Sequence, residues 1–508
     1  MGLGSTRAIS LQGLVGHVVE VEAHLAPGLP AFGLVGRPDR TLMEARERVR
    51  SAVSSCAVAF PQKRVTVNLW PAGLPKFGTA FDLAIAVAIL AAAGVAGDGR
   101  PDAVHLGELG LDGRLHPVRG VLPMVHAAVG AGLRHVVVPE ADVAEASMVP
   151  GAEVVGVRHL AELLHSYGGQ VAVPDLPAVP RSYLEPREAG ALDMADVVGQ
   201  PEARFALEVA AAGGHHLFLV GPPGTGKTML AARLPGLLPD LTEAEAVEVT
   251  ALHSVAGTLD PRQGLIRRPP LEAPHHTASA AAVVGGGAGV PRPGAASRAH
   301  LGVLLLDEAP EYAPRVLDTL RQPLESGELV IDRADASARY PARFQLVLAA
   351  NPCPCGMSAG KGVDCECSPL ARRRYLARLS GPLLDRVDLQ VDVPAARMAA
   401  LAGPGGEPSA PIAARVLEAR ERMRVRWAGC PWRTNAGVPG AWLRKHHPLP
   451  REARADLTRA VEHGHLSLRG AERVQRVAWT LADLAGRDQP GADDVGRAMT
   501  LRMRGRHG

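Results

Sequence analysis

The chain has 508 residues, enough for about three domains, and a hydrophobic content of 47% supports buried cores. Its formal net charge of +3 is too small to indicate nucleic-acid binding, so any such contact must come from local patches. The apolar run Leu83–Val95 is shorter than the roughly 18 residues of a membrane span, and the first residues lack the apolar segment of a secretory signal. Six cysteines, four of them within positions 353–367, do not resemble a secreted disulfide framework. We therefore expect a soluble, cytoplasmic protein.

Residues 1–165 are predicted to form a mixed α/β domain, because short strand patterns alternate with helical ones. The predicted elements are strands at Val15–Val21, Arg64–Leu69 and His135–Pro139, helices at Leu42–Val53, Phe81–Ala93 and Leu122–Ala131, and a hairpin within His105–Leu115. The first helix carries Arg46, Arg48 and Arg50, for which a solvated helix face is a better explanation than nucleic-acid contact. Residues 166–190 are rich in proline and lack periodicity, which predicts a semi-rigid linker.

A glycine-rich motif follows the apolar strand pattern Leu217–Val220. It has the form G-x-x-x-x-G-K-T and consists of Gly221, Pro222, Pro223, Gly224, Thr225, Gly226, Lys227 and Thr228. In such a phosphate-binding loop, backbone N–H groups point at phosphate oxygens, the lysine reaches the β- and γ-phosphates, and the hydroxyl binds Mg²⁺. A chance glycine-rich turn is the alternative, but the helical segment Met229–Leu234 completes the order of strand, loop and helix that the motif needs. ATP and Mg²⁺ are the expected ligands.

A second apolar strand pattern, Gly302–Leu306, ends in the two acidic residues Asp307 and Glu308. Acidic pairs at strand ends also arise by chance, but this pair follows the phosphate-binding loop by about 80 residues, which is typical of a Walker B motif. Asp307 is expected to hold Mg²⁺ through the water molecules that surround the ion. Glu308 is expected to polarise the attacking water as the catalytic base.

Four cysteines form a C-x-C…C-x-C pattern in a glycine-rich loop that has no apolar core of its own. They are Cys353, Cys355, Cys365 and Cys367. Four soft ligands within fifteen residues predict a structural Zn²⁺ site, although the spacing differs from the common C-x₂-C knuckle. A reduced, metal-free loop and a redox-active pair remain as alternatives.

The N-terminal domain contains the segments GLPAFGLVGRPD, EARERVRSAV, RVTVNL and GELGLDGRLHPVRGVLP. These segments resemble the N-terminal domain of the magnesium chelatase-like YifB/ComM family, whose fold is related to the proteolytic domain of Lon. At the position of the Lon serine this chain has Ala80, and near the position of the dyad lysine it has Leu122. Without a nucleophile and its base, covalent hydrolysis has no starting group. The resemblance therefore implies a docking module rather than a peptidase.

The centre of the chain resembles the motor of AAA+ ATPases. Asp196–Gln200 has the D-x-x-G-Q form of the segment beside the adenine, and the helical segment Pro201–Ala212 follows it. Asn351 follows the predicted strand Phe344–Ala350, where AAA+ proteins have the sensor 1 residue. The resemblance implies that Asn351 orients the lytic water.

Two arginines are assigned by the same resemblance. Residues 380–388 resemble the L-L-D-R segment of magnesium chelatase motor subunits and MCM helicases, in which the arginine reaches into the neighbouring subunit's site. Arg386 is therefore the expected trans finger, with a surface pair to Asp385 or Asp388 as the alternative. Ser467–Gly470 matches the S-x-R-G start of the sensor 2 helix, so Arg469 is the expected cis contact to the γ-phosphate, ahead of Arg476.

Two insertions distinguish the motor. Residues 273–302 resemble the family's APHHTAS…GGG…PRPG signature, an insertion within helix 2 of the AAA+ core, and a second inserted hairpin is predicted over residues 327–340. Arg333 and Arg339 in the second insertion are candidates for phosphate-backbone contacts. Glu272 departs from the family, which has a basic residue there, and weakens a DNA role at that position. Arginines at 372–374 and 415–426 form positive patches that suit nucleic acid, although salt-bridged helix faces explain the second group equally well.

The resemblance covers almost the whole chain and implies an α/β protein. An AAA+ core of parallel sheet and helices (residues 191–395) is preceded by an α+β Lon-protease-like, S5-like domain (1–165) and a linker (166–190), and followed by a helical lid (396–508). It implies an ATP-hydrolysing ring, expected to be a hexamer, that acts as a DNA helicase or translocase in branch migration during DNA integration. The alternative is a chelatase-like motor that remodels a protein partner.

Overall fold

In the computed structural model, which describes residues 2–177, 192–287, 291–332, 337–358, 365–395 and 405–503, a seven-stranded mixed sheet forms the N-terminal domain. Its strands lie in the order β3-β4-β2-β1-β5-β8-β9. The strands of this domain, including a small β6-β7 hairpin, are β1 (Gly2–Gln12), β2 (Val15–Ala26), β3 (Ala31–Val35), β4 (Arg64–Trp70), β5 (Ala103–His105), β6 (Glu108–Leu109), β7 (Leu115–His116), β8 (His135–Pro139) and β9 (Glu153–Val157).

Helices cover both faces of this sheet's core. They span Arg40–Met43, Ala45–Ser55, Asp82–Ala92, Val121–Gly130, Val143–Ala146 and Leu160–Ser166. The helix Asp82–Ala92 is buried at every position from Asp82 to Ala91, which explains why its sequence is apolar all round rather than on one face. The prediction of one helix over Leu42–Val53 was wrong, because the chain breaks at Glu44 and forms two helices there.

The second domain is built on a parallel sheet in the order β11-β14-β17-β10-β18. Its strands are β10 (Leu217–Val220), β11 (Leu271–Glu272), β14 (Val303–Leu306), β17 (Gln345–Ala350) and β18 (Leu389–Asp392), and two antiparallel hairpins pair β12 (Gly285–Gly286) with β13 (Arg292–Pro293) and β15 (Glu328–Asp332) with β16 (Ser337–Pro341). The three central strands, β14, β17 and β10, are buried at every position, as expected for parallel strands covered by helices on both faces.

The helices of this domain connect the parallel strands and carry the insertions. They span Pro201–Gly213, Lys227–Arg233, Glu243–Ala256, Ala280–Val284, Ala295–Arg298, Pro314–Thr319, Arg321–Ser326, Pro369–Leu376 and Gly381–Leu384. The first insertion thus has the order helix, hairpin, helix between β11 and β14, and the second insertion is the β15-β16 hairpin ahead of β17.

The C-terminal region is helical and shares a hydrophobic core with the parallel sheet. Its helices span Ser409–Arg426, Gly440–His446, Arg451–Glu462, Leu468–Leu484 and Ala492–Arg502. One continuous cluster of buried side chains runs from Leu217 in β10 to Trp427 and Trp479 in these helices. The helical lid is therefore packed on the motor core.

The N-terminal domain docks on the motor through the helix Glu243–Ala256. Ser254 on this helix donates to the buried carboxylate of Glu145 at 2.5 Å, and Leu14 in the β1-β2 turn packs with Leu252 and Tyr340. Within the described part of the chain, no helix is both long and apolar enough to cross a membrane.

Candidate active site

The glycine-rich motif forms a loop between the carboxyl end of β10 and the helix Lys227–Arg233. Gly226, the residue before the helix, has a φ of 86°, a left-handed conformation that favours glycine. The first N–H groups of a helix have no partner within the helix, and they face the loop here. The backbone thus has the form that binds a phosphate.

Lys227 lies across this loop and is bonded to neutral acceptors. Its Nζ donates to the carbonyl oxygens of Gly221 at 2.7 Å and Pro222 at 2.8 Å, and to Asn351 Oδ1 at 3.1 Å. Burial lowers the pKa of Lys227, while Asp307 and Glu308 act in the opposite direction. Among the described residues all its acceptors are neutral, and such a buried ammonium group fits a site that receives an anionic phosphate.

Thr228 lies in the first turn of the helix Lys227–Arg233, Asp307 directly follows β14, and the two side chains are in contact. The hydroxyl of Thr228 donates to Asp307 Oδ2 at 2.7 Å. A hydroxyl and a carboxylate are hard oxygen ligands of the kind that Mg²⁺ prefers, so the two residues fit the ion that the sequence predicts. Asn351 follows β17, which lies between β10 and β14, and this explains why it reaches Lys227.

Glu308 has a strained backbone at the carboxyl end of β14. Its φ is 50°, which is uncommon for a residue other than glycine and is often found at functional sites. His276 Nδ1 lies 3.1 Å from Glu308 Oε2. In the sequence, His276 is marked only by its place in the APHHTAS run of the first insertion.

Arg386 lies at the opposite edge of the sheet. It precedes the amino end of β18, and β18 is parallel to β10 with Leu389 opposite Leu217, whereas the phosphate-binding loop follows the carboxyl end of β10. Arg386 forms an ion pair with Glu325 and donates to the Pro382 carbonyl. The alternative of a pair with Asp385 or Asp388 therefore named the wrong partner.

Among the described residues, no hydrogen bond or ion pair joins Arg469 to the phosphate-binding loop of its own chain. The helix begins at Leu468, where the Ser467 side chain caps it, and Arg473 in its second turn lies 2.9 Å from Asp388 at the amino end of β18. Arg469 is one turn away, about 6 Å along the axis, at the start of the helix that approaches the amino end of β18. Arg469 is exposed and forms no ion pair among the described residues. Arg476 is mostly buried, and burial lowers its pKa.

Comparison with known proteins covers nearly the whole chain. Family models described as "Subunit ChlI of Mg-chelatase", "Magnesium chelatase, subunit ChlI" and "Magnesium chelatase, subunit ChlI C-terminal" match residues 21–142, 193–401 and 406–502. Competence protein ComM of Haemophilus influenzae is 42% identical over 96% of this chain and 95% of its own. YifB of Escherichia coli is 41% identical over 92% of this chain and 90% of its own, and an uncharacterized protein of Mycobacterium tuberculosis is 50% identical over 99% of both.

The chain belongs to the YifB/ComM family of magnesium chelatase-like proteins. Its fold is that of the family: an AAA+ core with a Lon-protease-like domain before it and a helical lid after it. Family membership makes it a motor of the ATPase type that uses a nucleotide and Mg²⁺.

The cysteine pattern of this YifB/ComM protein forms one cluster. The four sulfur atoms of Cys353, Cys355, Cys365 and Cys367 lie within 4.8 Å of one another, with separations of 3.4 to 3.7 Å among the first three. Tetrahedral Zn–S bonds of about 2.3 Å imply sulfur separations of about 3.8 Å, so this donor set fits zinc. Gly356 lies against Pro223 of the phosphate-binding loop, so the cluster adjoins the nucleotide site.

The Lon-like site of this family member is filled by packed hydrophobic residues. Ala80 and Leu122, which stand where the dyad is expected, are buried in the same apolar cluster. The nearby Lys76 is fully buried and donates to the Leu69 carbonyl at 2.8 Å. Both positions are therefore occupied by packed apolar side chains.

The arginine patches separate into structural and exposed groups. In the lid, Arg415 pairs with Glu208 and Glu407, Arg426 with Asp483, and Arg424 with Glu421. These pairs favour the salt-bridge explanation for residues 415–426. Glu272, the departure from the family pattern, is engaged in a bidentate pair with Arg298 at 2.7 and 3.0 Å.

Two exposed arginines lie on the inserted hairpins, and two more lie on the helix Pro369–Leu376. Arg339 on β16 is 73% exposed, with its nearest carboxylate, on Glu328, at 3.9 Å. Arg292 on β13 is exposed, as are Arg373 and Arg374. Arg333, the other phosphate-contact candidate, lies outside the described residues. The hairpins therefore present two exposed positive charges, on Arg292 and Arg339.

Proposed function

We propose that this chain hydrolyses ATP in a ring, expected to be a hexamer, whose active sites are each shared by two neighbouring protomers. The observation that carries the proposal is the division of the expected site residues between two edges of one sheet. Lys227, Asp307 and Asn351 converge at the carboxyl edge, whereas Arg386 precedes the amino end of β18, and the helix that carries Arg469 approaches the same end through Arg473. A contact between protomers that joins the two edges would complete the site in every subunit of a closed ring.

Each residue then has a defined task. Lys227 and the loop N–H groups would bind the β- and γ-phosphates. Thr228 and Asp307 would hold Mg²⁺, which would neutralise phosphate charge. Glu308 accepts a proton from water as the water oxygen bonds to the γ-phosphorus and the bond to the β,γ-bridging oxygen breaks. Asn351 orients that water.

Charge on the γ-phosphoryl group is neutralised from the next protomer. Arg386 and Arg469 of that protomer supply guanidinium groups, which suit planar phosphate recognition. Arg386 exchanges its Glu325 partner for the phosphate when the interface forms. Arg469 is assigned to the same trans role, since the helix that it begins approaches the amino edge of the sheet.

The motor is proposed to act on DNA as a helicase or translocase of the branch-migration kind. The inserted hairpins support this, because Arg292 and Arg339 are exposed and phosphate backbones are bound by exposed arginines in a sequence-blind, salt-sensitive way. The name of the H. influenzae relative, a competence protein, also favours DNA.

Stimulation of ATP hydrolysis by DNA tests this proposal. The purified full chain is assayed with single-stranded, duplex and forked DNA at several salt concentrations. We expect stimulation that weakens as salt rises. Arg339→Ala should reduce stimulation without changing hydrolysis in the absence of DNA, and Arg424→Ala, which removes an exposed arginine of the lid, serves as the matched control. Hydrolysis that no DNA stimulates would leave the chelatase-like alternative, in which the motor remodels a protein partner.

Zinc is proposed as the occupant of the cysteine cluster, with a structural role beside the phosphate-binding loop. Metal analysis of the purified chain should find about one zinc per protomer. Cys355→Ser should lose the metal, whereas Cys430→Ser, at an isolated cysteine, should retain it. A metal content below about a tenth of an equivalent in the wild-type chain would remove the proposal and leave a reduced loop or a redox pair.

A further inference from the structure

The turn between β1 and β2 of the N-terminal domain touches the second inserted hairpin of the motor. Gly13 in this turn has a φ of 66°, and a Cβ added there would lie 2.3 Å from the carbonyl oxygen of Arg339 on β16. Only glycine allows two backbones to approach so closely. The next residue, Leu14, packs against the buried cluster that contains Ala338 and Tyr340 of the hairpin. The N-terminal domain thus contacts this hairpin through both backbone and side chain.

The contact lies on the reverse of the face that carries the exposed arginine. Successive side chains of a strand point to opposite faces. On β16, Ala338 and Tyr340 are buried, whereas Arg339 between them is exposed. The N-terminal domain therefore covers one face of the hairpin, and the other face presents the arginine that is proposed to contact DNA.

The hairpin depends on this cover for its rigidity. A two-stranded ribbon is at best marginally stable in water by itself, so its orientation is fixed by what packs on its buried face. Two elements do so: the helix Glu243–Ala256 contributes Leu252 and Val255, and the N-terminal domain contributes Leu14. The same helix is bonded to the N-terminal domain through Ser254. Helix, turn and hairpin are thus packed as one unit.

The first inserted hairpin belongs to the same unit. The buried hydroxyl of Tyr340 on β16 donates to the Pro291 carbonyl at 2.7 Å. Gly285 on β12 lies so close to Ile331 on β15 that an added Cβ would be 2.6 Å from its Cδ1. The support that holds the second hairpin therefore also reaches the first one.

We propose that the β1-β2 turn is a positioning element, through which the N-terminal domain holds the second hairpin in the orientation that presents Arg339 to nucleic acid. A guanidinium on a fixed backbone loses less conformational freedom when it binds a phosphate than one on a mobile ribbon, so the supported hairpin binds DNA more tightly. The inference rests on the proposed DNA function. It gives a task in that function to a domain that lacks the Lon dyad.

Replacement of Leu14 by alanine in the full chain tests this role. The variant removes the apolar contact of the turn and leaves the nucleotide site in place. We expect the DNA concentration that half-saturates the stimulation of ATP hydrolysis to rise by about three- to tenfold, which corresponds to the ordering of one long side chain at an interface. Basal turnover, KM for ATP and turnover at saturating DNA should not change.

Three further variants separate positioning from a general effect on the fold. Leu14→Met keeps an apolar side chain of similar volume and should restore the wild-type DNA affinity. Gly13→Ala leaves Leu14 intact but forces the turn away from β16, so it should weaken DNA binding as Leu14→Ala does. Leu111→Ala, at an exposed leucine in the turn between β6 and β7, is the matched control and should behave as the wild type.

The double variant Leu14→Ala/Arg339→Ala tests whether the turn acts through this arginine. It should bind DNA no more weakly than Arg339→Ala alone, because the turn then has no arginine to position. Losses of affinity that add in full would show that the turn acts by another route and would overturn the inference.

Amide hydrogen exchange without DNA measures the support itself. In Leu14→Ala the amides of β15 and β16 should exchange about tenfold faster than in the wild type, whereas those of β10 and β17 should not change. Equal exchange of β15 and β16 in the two proteins would overturn the inference whether or not DNA stimulates hydrolysis.

The outcomes distinguish this inference from the proposed function. Where DNA stimulates the wild type, an unchanged half-saturating DNA concentration in Leu14→Ala, or an equal rise in Leu111→Ala, overturns the inference and leaves the proposed function standing. Faster exchange of the hairpin in Leu14→Ala, in a protein that no DNA stimulates, supports the hold of the turn on the hairpin and overturns nucleic acid as the ligand of Arg339.

Discussion

Lys227 illustrates at the scale of one residue how the site anticipates its ligand. Its ammonium group is buried, and its described acceptors are two carbonyls and an amide oxygen rather than a carboxylate. A buried cation without a counter-ion is unfavourable, and a bound triphosphate would supply the missing negative charge. The cost of holding Lys227 in place is thereby offset when the nucleotide binds.

Glu308→Gln tests the assignment of the base. Glutamine keeps the shape of the side chain but cannot accept the proton of water, so ATP hydrolysis should fall by at least about a hundredfold. Binding of ATP should persist, because Lys227 and Thr228 are unaffected. Single-turnover hydrolysis together with nucleotide-binding titrations measures both quantities. Turnover close to that of the wild type would show that Glu308 is not the base.

His105 allows a prediction of how stability depends on pH. Its ring is fully buried between the Thr6 and Tyr167 hydroxyls, each at 2.7 Å, and burial lowers its pKa to about 3. The unfolded chain binds a proton at this histidine below pH about 6.5, whereas the folded domain does not. The stabilising effect of the neutral ring is therefore full above that pH and is lost as the pH falls towards 3, by up to about 1.4 kcal/mol per pH unit.

Denaturant unfolding of the wild type and of His105→Gln between pH 7 and pH 4.5 measures this effect. Glutamine can bond to both hydroxyls but does not titrate, so the variant should lose less stability over this range. Parallel curves for the two proteins would assign the acid sensitivity to other groups.

The sequence predicted the individual residues of the site well where a short motif contains them. The loop from Gly221 to Thr228 and the pair Asp307 and Glu308 are each contiguous, so their spacing alone specifies the chemistry. His276 could not be predicted in this way, because 32 positions separate it from Glu308. Two adjacent histidines in the sequence also give no indication of which one lies beside Glu308.

At the scale of elements, β1 shows why some strands were not predicted. Gly2–Gln12 is an interior strand of the first sheet, yet its sequence contains two glycines that disfavour a strand. Gly4 packs so closely on the helix Asp82–Ala92 that an added Cβ would lie 2.4 Å from the Ala88 carbonyl. Tertiary packing, which is absent from local propensity, selects these residues.

The helix Leu468–Leu484 shows the same limit for orientation. Its capping residue, Ser467, was recognisable in the sequence, and its side chain accepts from Gly470 N at 3.0 Å. The helix approaches the amino edge of the sheet, where Arg473 pairs with the buried carboxylate of Asp388. Burial would raise the pKa of Asp388, but Arg473 and His215 hold it well below its ordinary value.

Arg473→Met and Arg469→Met form a matched pair that separates the structural role of the buried ion pair from the proposed catalytic role of Arg469. Arg473→Met leaves Asp388 buried without its ion-pair partner and should lower the free energy of unfolding by about 3 kcal/mol. Arg469→Met removes an exposed arginine one turn away and should leave stability unchanged while it reduces ATP hydrolysis. Denaturant unfolding and hydrolysis assays on both variants test this. Equal stability of the two variants would contradict the buried-pair explanation.

At the scale of the whole molecule, the edge-to-edge arrangement predicts that two inactive variants complement each other. Lys227→Ala retains Arg386 but cannot bind the triphosphate, and Arg386→Ala binds it but should hydrolyse it about 10³-fold more slowly. In rings assembled from equal amounts of both, co-expressed with different affinity tags, about a quarter of the interfaces combine an intact Lys227 with an intact Arg386 from the neighbour. These rings should recover about a quarter of wild-type turnover, whereas each variant alone and the double variant Lys227→Ala/Arg386→Ala stay inactive. Mixed rings no more active than their parents, or full turnover by a monomeric wild-type chain, would show that each protomer completes its own site.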